Sequence, residues 1–304
     1  MQPFELSQLT ISSATTDPDL EAMVHVRALV TPDERPVVET LRFNLDTNPA
    51  LAYFVARIAD EPVGCAFIEP WTAFAYGDVA VVPGRRRLGI GSALLAELSG
   101  RARGLGKDSI QGEVREADAD SRAFLERRGF VQVSAEKALV LELEELDPPE
   151  VAPPAGVRIV SRAEEPDRLE EMYGVARQAE QDIPGSTGER TFAEWRAHEI
   201  DKPNRRPELT FLALAGDEVV GYAGLQVAGD RAFHGLTATR RDWRGQGVAT
   251  ALKCAEIAAA RRAGFRCLLT ESEERNEPMR RLNEKLGFVP APELSMVVMR
   301  GPVV

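Results

Sequence analysis

The sequence predicts a mixed α/β protein built from two copies of one unit, and three observations carry that prediction. Gly89-Ile90-Gly91 and Gly247-Val248-Ala249 lie 158 residues apart, and Gly129-Phe130 and Gly287-Phe288 repeat the interval. Upstream, Phe54-Val55-Ala56-Arg57 through Asp60-Glu61-Pro62-Val63-Gly64 reads like Phe211-Leu212-Ala213-Leu214 through Asp217-Glu218-Val219-Val220-Gly221, at an offset of 157. In the second copy the apolar period then changes at the glycines from two to about 3.6, where a strand hands over to a helix. Two copies make a duplicated domain, not a solenoid.

The elements follow in order. Leu9-Thr10-Ile11 and Val157-Arg158-Ile159-Val160 open the copies as short strands, each followed by polar, helix-patterned stretches over roughly 17–45 and 164–200. A hairpin comes next: Leu51 to Ile58, the turn Asp60-Glu61-Pro62 and Val63 to Ile68, matched by Leu209 to Ala215, Gly216-Asp217-Glu218 and Val219 to Val227. A further strand, Asp78 to Val82 or Ala232 to Thr239, runs into the glycine segment. Beyond it Val248, Ala251, Leu252, Ala255 and Ala259 share one helical face, and Gly264 supplies the stop. A strand (Ser109 to Val114; Cys267 to Glu271), a helix (Ser121 to Arg128; Pro278 to Leu286) and a final β segment (Val131 to Leu143; Ser295 to Arg300) complete each copy. Between them, the proline-rich run from Asp147 to Gly156 can continue neither a helix nor a central strand and reads as a semi-rigid linker. The expected domains are therefore residues 1–147 and 156–304.

Composition excludes several classes. Of 304 residues, 44% are hydrophobic and 28% charged, an ordinary soluble balance. No apolar run reaches membrane-spanning length, and Met1-Gln2-Pro3-Phe4-Glu5 lacks the basic and apolar segments of a signal peptide. Cys65, Cys254 and Cys267 are scattered, with no CxxC pair, and His25, His198 and His234 stand at no metal-ligand spacing. No disulfide framework, no metal and a reducing cytoplasm are expected. The net charge of −11 argues against a nucleic-acid partner. It divides unevenly: 15 basic and 25 acidic residues in 1–152 give −10, and 22 and 23 in 153–304 give −1.

The glycine segments carry the chemistry. Val82-Pro83-Gly84-Arg85-Arg86-Arg87-Leu88-Gly89-Ile90-Gly91 and Arg240-Arg241-Asp242-Trp243-Arg244-Gly245-Gln246-Gly247-Val248-Ala249 each open a helix. Small residues there let a ligand approach unpaired backbone N–H groups, and the helix dipole with adjacent arginines suits a phosphate or pyrophosphate. A tight turn with solvated basic residues is the plain alternative, and recurrence at equivalent positions argues for the phosphate site. A P-loop is absent, and the third glycine of a dinucleotide fingerprint is missing.

Arg86-x-x-Gly89-x-Gly91 and Arg244-x-x-Gly247-x-Ala249 resemble the [Q/R]xxGx[G/A] motif of the GNAT superfamily of acyl-CoA N-acyltransferases, and the order of elements is similar to that family. Arg122-Ala123-Phe124-Leu125-Glu126-Arg127-Arg128-Gly129-Phe130 and the run from Asn276 to Phe288 resemble its later acyl-CoA-binding segment. The resemblance covers nearly the whole chain. It implies two GNAT-like domains, each a mixed, mostly antiparallel sheet flanked by helices, with acetyl-CoA as acyl donor and no metal.

By position, the resemblance assigns Thr237, Ala238 and Thr239 to the pantetheine arm, Arg244, Gly245, Gln246, Gly247, Val248, Ala249 and Thr250 to the pyrophosphate, and Asn276 to the pantetheine. The first-copy equivalents are Val79, Ala80 and Val81, then Arg86, Arg87, Leu88, Gly89, Ile90, Gly91 and Ser92. There Asp118 replaces Asn276 and loses the amide donor. The second copy is therefore expected to be catalytic and the first degenerate or structural.

The implied reaction is direct attack of a primary amine of a small molecule on the thioester carbonyl. It requires a base to deprotonate the ammonium. Glu271, at a strand end, and His234, at the start of the motif strand, could border the central cleft and are the candidate catalytic residues. The family often reprotonates the departing thiolate with a tyrosine four residues before the Gly-Phe glycine; here Asn283 and Leu125 stand there, and neither is an acid. Tyr222 is a possible substitute or a buried structural tyrosine. Cys254 and Cys267 read as core, which disfavours a covalent thiol route. The stretch from Asp182 to Arg190 reads either as a loop over the acceptor site or as a plain connection. The leading expectation is an acetyl-CoA-dependent N-acetyltransferase, monomer or homodimer, with no membrane partner. The alternative is a non-catalytic acyl-CoA-binding module or sensor.

Overall fold

The structure is a computed structural model describing residues 8–32, 36–71, 73–182 and 190–304. Its elements begin with β1 (Leu9–Ser13), α1 (Asp17–Val30), α2 (Val38–Thr47), β2 (Ala52–Ile58), β3 (Glu61–Pro70), β4 (Ala75–Val81), α3 (Ile90–Gly104), β5 (Ser109–Arg115) and α4 (Ala119–Glu126). They continue with β6 (Val131–Glu142), β7 (Val157–Ser161), α5 (Leu169–Glu180), α6 (Phe192–Glu199), β8 (Arg205–Ala215), β9 (Glu218–Ala228) and β10 (Arg231–Thr239). The last are α7 (Val248–Arg262), β11 (Cys267–Glu273), α8 (Glu277–Lys285), β12 (Val289–Pro290) and β13 (Met296–Pro302). The mixed α/β order expected from the sequence is observed. The long helical stretches each resolve into two helices, and α1 and α6 start on capping boxes closed by Thr16 with Asp19 and by Thr191 with Glu194.

Two compact units form: residues 1–133 with 297–304, and residues 134–296. In the first, the strand order is β1-β2-β3-β4-β5-β13; in the second it is β6-β11-β10-β9-β8-β7, with β12 also on β6. Each compact unit is thus one sequence copy with its last strand replaced by that of the other copy. Both sheets are mostly antiparallel, with parallel pairing between β4 and β5 and between β10 and β11.

The second unit shows why its strands are apolar on both faces. Phe211 and Ala213 pack with Leu252, Ala255 and Ala259 of α7, whereas Leu212 and Leu214 pack with Met172 and Ala176 of α5 and with Trp195 of α6. Successive residues of β8 therefore face opposite helical layers, as the period of two requires.

The two motif strands differ. β3 and β4 pair in unbroken antiparallel register from Gly64↔Val81 to Pro70↔Ala75. β9 and β10 pair from Ala228↔Arg231 to Leu225↔His234, then slip, so that Ala223 faces Thr237 and Gly221 faces Thr239. That slip is one extra residue on β10, a β-bulge, which bends the strand and raises its twist.

Candidate functional site

The bulge sits where β10 leaves its parallel neighbour. Arg231, Ala232 and Phe233 pair with Cys267, Leu268 and Leu269, and the ladder ends there. From His234 to Thr239, β10 keeps β9 on one side and, among the described residues, has no strand on the other. The backbone groups on that open edge are donors and acceptors without a ladder partner. Thr237, Ala238 and Thr239, expected along a pantetheine arm, all lie on this stretch, and the Thr239 hydroxyl is buried without a hydrogen bond. Gly235 in the bulge is glycine for room: a Cβ there would stand 2.3 Å from Nη1 of Arg205 and 2.9 Å from the Gly224 carbonyl oxygen.

At the end of β10 the chain turns into α7. Gly245 and Gly247 take left-handed φ values of 73° and 92°, with open space where a Cβ would point. Gly247 is the N-cap, and no side chain accepts from the first turn of α7. The N–H groups of Val248, Ala249 and Thr250 are therefore available to an anion at the positive end of the helix dipole. Arg244 donates from Nε to the Thr239 carbonyl at 3.1 Å, tying the turn to the strand, and Gln246 donates to the Asp242 carbonyl at 2.9 Å.

Asp182, beyond the C-terminal end of α5, grips this turn. It accepts from Arg241 Nη2 and Nε at 2.9 and 3.0 Å and pairs with Arg244 Nη1 at 2.6 Å. Hydrogen bonds from Arg241 and Arg244 hold its carboxyl down at about 2. The rest of the anticipated loop, residues 183–189, lies outside the described residues.

The first-copy segment has the same outline with different fillings. Gly89 is the N-cap of α3 with φ 85°, but the position of Gly245 is taken by Arg87, a non-glycine residue held at φ 66°. Arg86 pairs with Asp118 at 3.6 Å, and Asp118 also caps α4 through Ser121. Arg128 stacks over Phe124, 3.7 Å from the ring centroid, and donates to the Ser92 hydroxyl at 2.7 Å. Val79, Ala80 and Val81 run along the regular, unbulged β4. Asn276, by contrast, begins α8 without a side-chain capping bond.

The two candidate catalytic residues lie in different surroundings. Glu271 is exposed on β11, opposite Ala138 of β6. The His234 side chain is 1% exposed, neither at a surface nor in an open cleft. Its Nδ1 lies 2.8 Å from Oε2 of Glu256, itself fully buried on α7. Lys253, one turn earlier on α7, is buried beside them, and the Phe288 ring covers both His234 (5.5 Å between centroids) and Lys253 (5.9 Å). Burial pushes the Lys253 ammonium down to about 8; burial and then Lys253 lower the His234 imidazole, so that the ring is neutral. Asn283, where the resemblance calls for a tyrosine, is fully buried on α8, and neither end of its amide has a hydrogen-bond partner.

Sequence reasoning missed Lys253 and Glu256. A signal was present: in Ala251–Ala260 they are the only charges, and a helix apolar around its circumference is buried all round. Tyr222 is structural. It is 2% exposed, accepts from Trp195 Nε1 at 3.1 Å, and burial raises its phenol far above the ordinary range. Nearby, Glu199 pairs with Arg205 at 2.9 Å and with Arg190 at 3.4 Å; burial opposes its charge, and His198, Arg205 and Arg190 outweigh it and hold it ionised. The three cysteines are buried, and burial pushes each thiol up, Cys65 to about 12, so none is activated as a nucleophile.

The open edge of β10, the orphaned Thr239 hydroxyl and the uncapped start of α7 together fit a ligand with amides at one end and phosphates at the other, as acetyl-CoA has. Among the described residues no helix is long and apolar enough to cross a membrane.

Comparison with known proteins agrees with this geometry. The Acetyltransferase (GNAT) family matches twice, over residues 20–130 and 169–288. A mycothiol acetyltransferase from Thermomonospora curvata is 28% identical over 285 residues, covering 92% of this chain and 93% of its own. Among solved structures, the tandem GNAT protein from the clavulanic acid biosynthesis pathway superposes with a TM-score of 0.77 at 23% identity, covering 97% of this chain and 99% of that one. A GCN5-related N-acetyltransferase from Sphaerobacter thermophilus gives 0.75 at 18% identity, covering 97% and 96%.

Proposed function

The chain belongs to the GNAT family of acetyltransferases, which transfer acetyl from acetyl-CoA to an amine, and on that premise we propose that the second copy alone performs the transfer, by direct attack of a small-molecule primary amine. The observation that carries this reading is the register slip between His234 and Thr237, which β4 of the first copy lacks. Among the described residues β4 too runs without a second neighbour beyond Tyr76, so what distinguishes β10 is the bulge, which bends the strand where it leaves β11.

When bound, acetyl-CoA supplies an activated acyl carbon. The chain's own residues do the rest. Backbone groups of Thr237, Ala238 and Thr239 hold the pantetheine arm, with Asn276 beside it, and Arg244 to Thr250 cradle the pyrophosphate. N–H groups on the free edge of β10 polarise the acyl carbonyl. Residues 156–304 carry these groups, and residues 1–147 serve as a degenerate, structural copy, with Arg87 and Asp118 in place of Gly245 and Asn276. Glu271, exposed on β11, remains the candidate for taking the ammonium proton.

Thiol release from acetyl-CoA, measured with a panel of primary amines, tests this reading. The panel includes the amine that a mycothiol acetyltransferase acetylates, because of the similarity to that enzyme. The expected result is amine-dependent release that Gly247→Glu eliminates. Saturable acetyl-CoA binding with no release on any amine would instead favour a sensor.

A further inference from the structure

Arg205 lies inside the second unit, its side chain only 3% exposed. An arginine is seldom buried unless it is paired, and this one divides its guanidinium between two partners. Nη2 donates to Glu199 Oε2 at the end of α6 at 2.9 Å, and Nη1 donates to the Gly224 carbonyl of β9 in a long hydrogen bond of 3.4 Å. Nε is buried without a partner. Replacing a buried ion pair by apolar side chains is often neutral or stabilising, so such a pair points to a task other than stability, and fixing a register is the best-attested one.

Its position names the register. Leu225 faces His234 and Ala223 faces Thr237, so Gly224 alone stands opposite Gly235 and Leu236, the two residues of the bulge. On its other side β9 is interrupted at the same point, between Arg205↔Gln226 and Thr210↔Gly224. The arginine thus starts from β8 where that ladder opens, takes the Gly224 carbonyl and ends against the bulge. A Cβ on Gly235 would stand 3.1 Å from its Cζ and closer still to Nη1. In the first copy the 157-residue offset puts Asn48 at the place of Arg205 and Phe67 at that of Gly224. Asn48 donates to Glu69 instead, and Phe67 faces Asp78 in unbroken register. The copy without the arginine is the copy without the bulge.

We propose that Arg205 is a positioning residue of the donor site: its guanidinium, steadied by Glu199, wedges the extra residue of β10 out of the ladder and so fixes the edge on which Thr237, Ala238 and Thr239 meet the pantetheine arm. The inference rests on acetyl-CoA binding in the second copy. Arg205 acts through the backbone of β10 and not on acetyl-CoA itself. With the guanidinium removed, the Gly224 carbonyl is left to the amides of β10, and the strand can relax towards the regular pairing that β4 shows. The turn into α7 is held separately, by Asp182 with Arg241 and Arg244, so the pyrophosphate cradle should stay in place while the pantetheine edge shifts.

That difference is what the test reads. The full chain is titrated calorimetrically with two probes: acetyl-CoA, and the 3′-phospho derivative of ADP, which carries the adenosine and pyrophosphate but no pantetheine. Arg205→Lys keeps a charge for Glu199 but lacks the planar fork that reaches two partners. It should weaken acetyl-CoA about tenfold, as the loss of one or two hydrogen bonds along the arm would, and change the pantetheine-free probe by less than about twofold. Glu199→Gln, which still offers an acceptor but no charge, should split the probes in the same direction by about threefold. Should Arg205→Lys fail to fold, the Glu199 variant decides. A general loss of packing would weaken both probes alike. Equal weakening of the two, or unchanged acetyl-CoA affinity in the folded variants, would overturn the wedge and leave the second-copy assignment standing. Acetyl-CoA binding by the chain that survives Gly247→Glu would overturn that assignment, and the role of Arg205 with it.

Discussion

Gly245 and Asp182 show how single residues shape the turn into α7. Gly245 has φ 73°, and nothing lies within 4 Å of the point where a Cβ would stand, so glycine is favoured there by backbone conformation and not by crowding. Gly245→Ala should cost about 1 kcal/mol, the penalty of a left-handed L-residue, and lower the unfolding midpoint by about 2–4 °C; calorimetric unfolding measures it. Arg87 carries that conformation in the first copy, at φ 66°. Asp182 is held at about 2 by Arg241 and Arg244. Because its folded value lies below the unfolded one, its contribution is present above about pH 4 and is lost as the pH falls from there through 2. Denaturant titrations between pH 5 and 2 should therefore show a loss of stability that Asp182→Asn lacks in that window.

At the scale of the element, β10 is the decisive piece. Its bulge brings Gly235 against Arg205, whose guanidinium is buried and paired with Glu199. Gly235→Ala would force that guanidinium or the Gly224 carbonyl to move, and overpacking of this kind costs roughly 1–3 kcal/mol. Chemical denaturation should show that loss, and Gly84→Ala, which meets nothing within 4 Å, should show much less. The glycine segments and α7 were legible in the sequence, since a glycine pair at a change of period marks a strand-to-helix turn. The bulge was not: nothing in His234-Gly235-Leu236-Thr237 announces an extra residue, because a register slip depends on what the neighbouring strand offers. β4 starts at Ala75, three residues before the start at Asp78 expected from the sequence.

At the scale of the molecule, the duplication was legible and the strand replacement was not. The patterns of β6 and β13 tell which faces are buried; they do not say which sheet edge receives the strand. β13 completes the first unit: the Phe130 ring lies where a Cβ on Gly301 would be, Arg300 sits 4.4 Å from the Phe74 ring centroid, and it donates to Gln111 at 2.6 and 3.0 Å. Deleting residues 297–304 should accordingly loosen the first unit, and limited proteolysis should cut first within residues 1–133 and spare 134–296. The central claim, that a duplicated fold keeps one working donor site, is tested most directly by calorimetric titration with acetyl-CoA. One molecule should bind per chain, with binding lost in Gly247→Glu and retained in Gly91→Glu. Two molecules per chain, or binding lost in Gly91→Glu and kept in Gly247→Glu, would contradict it.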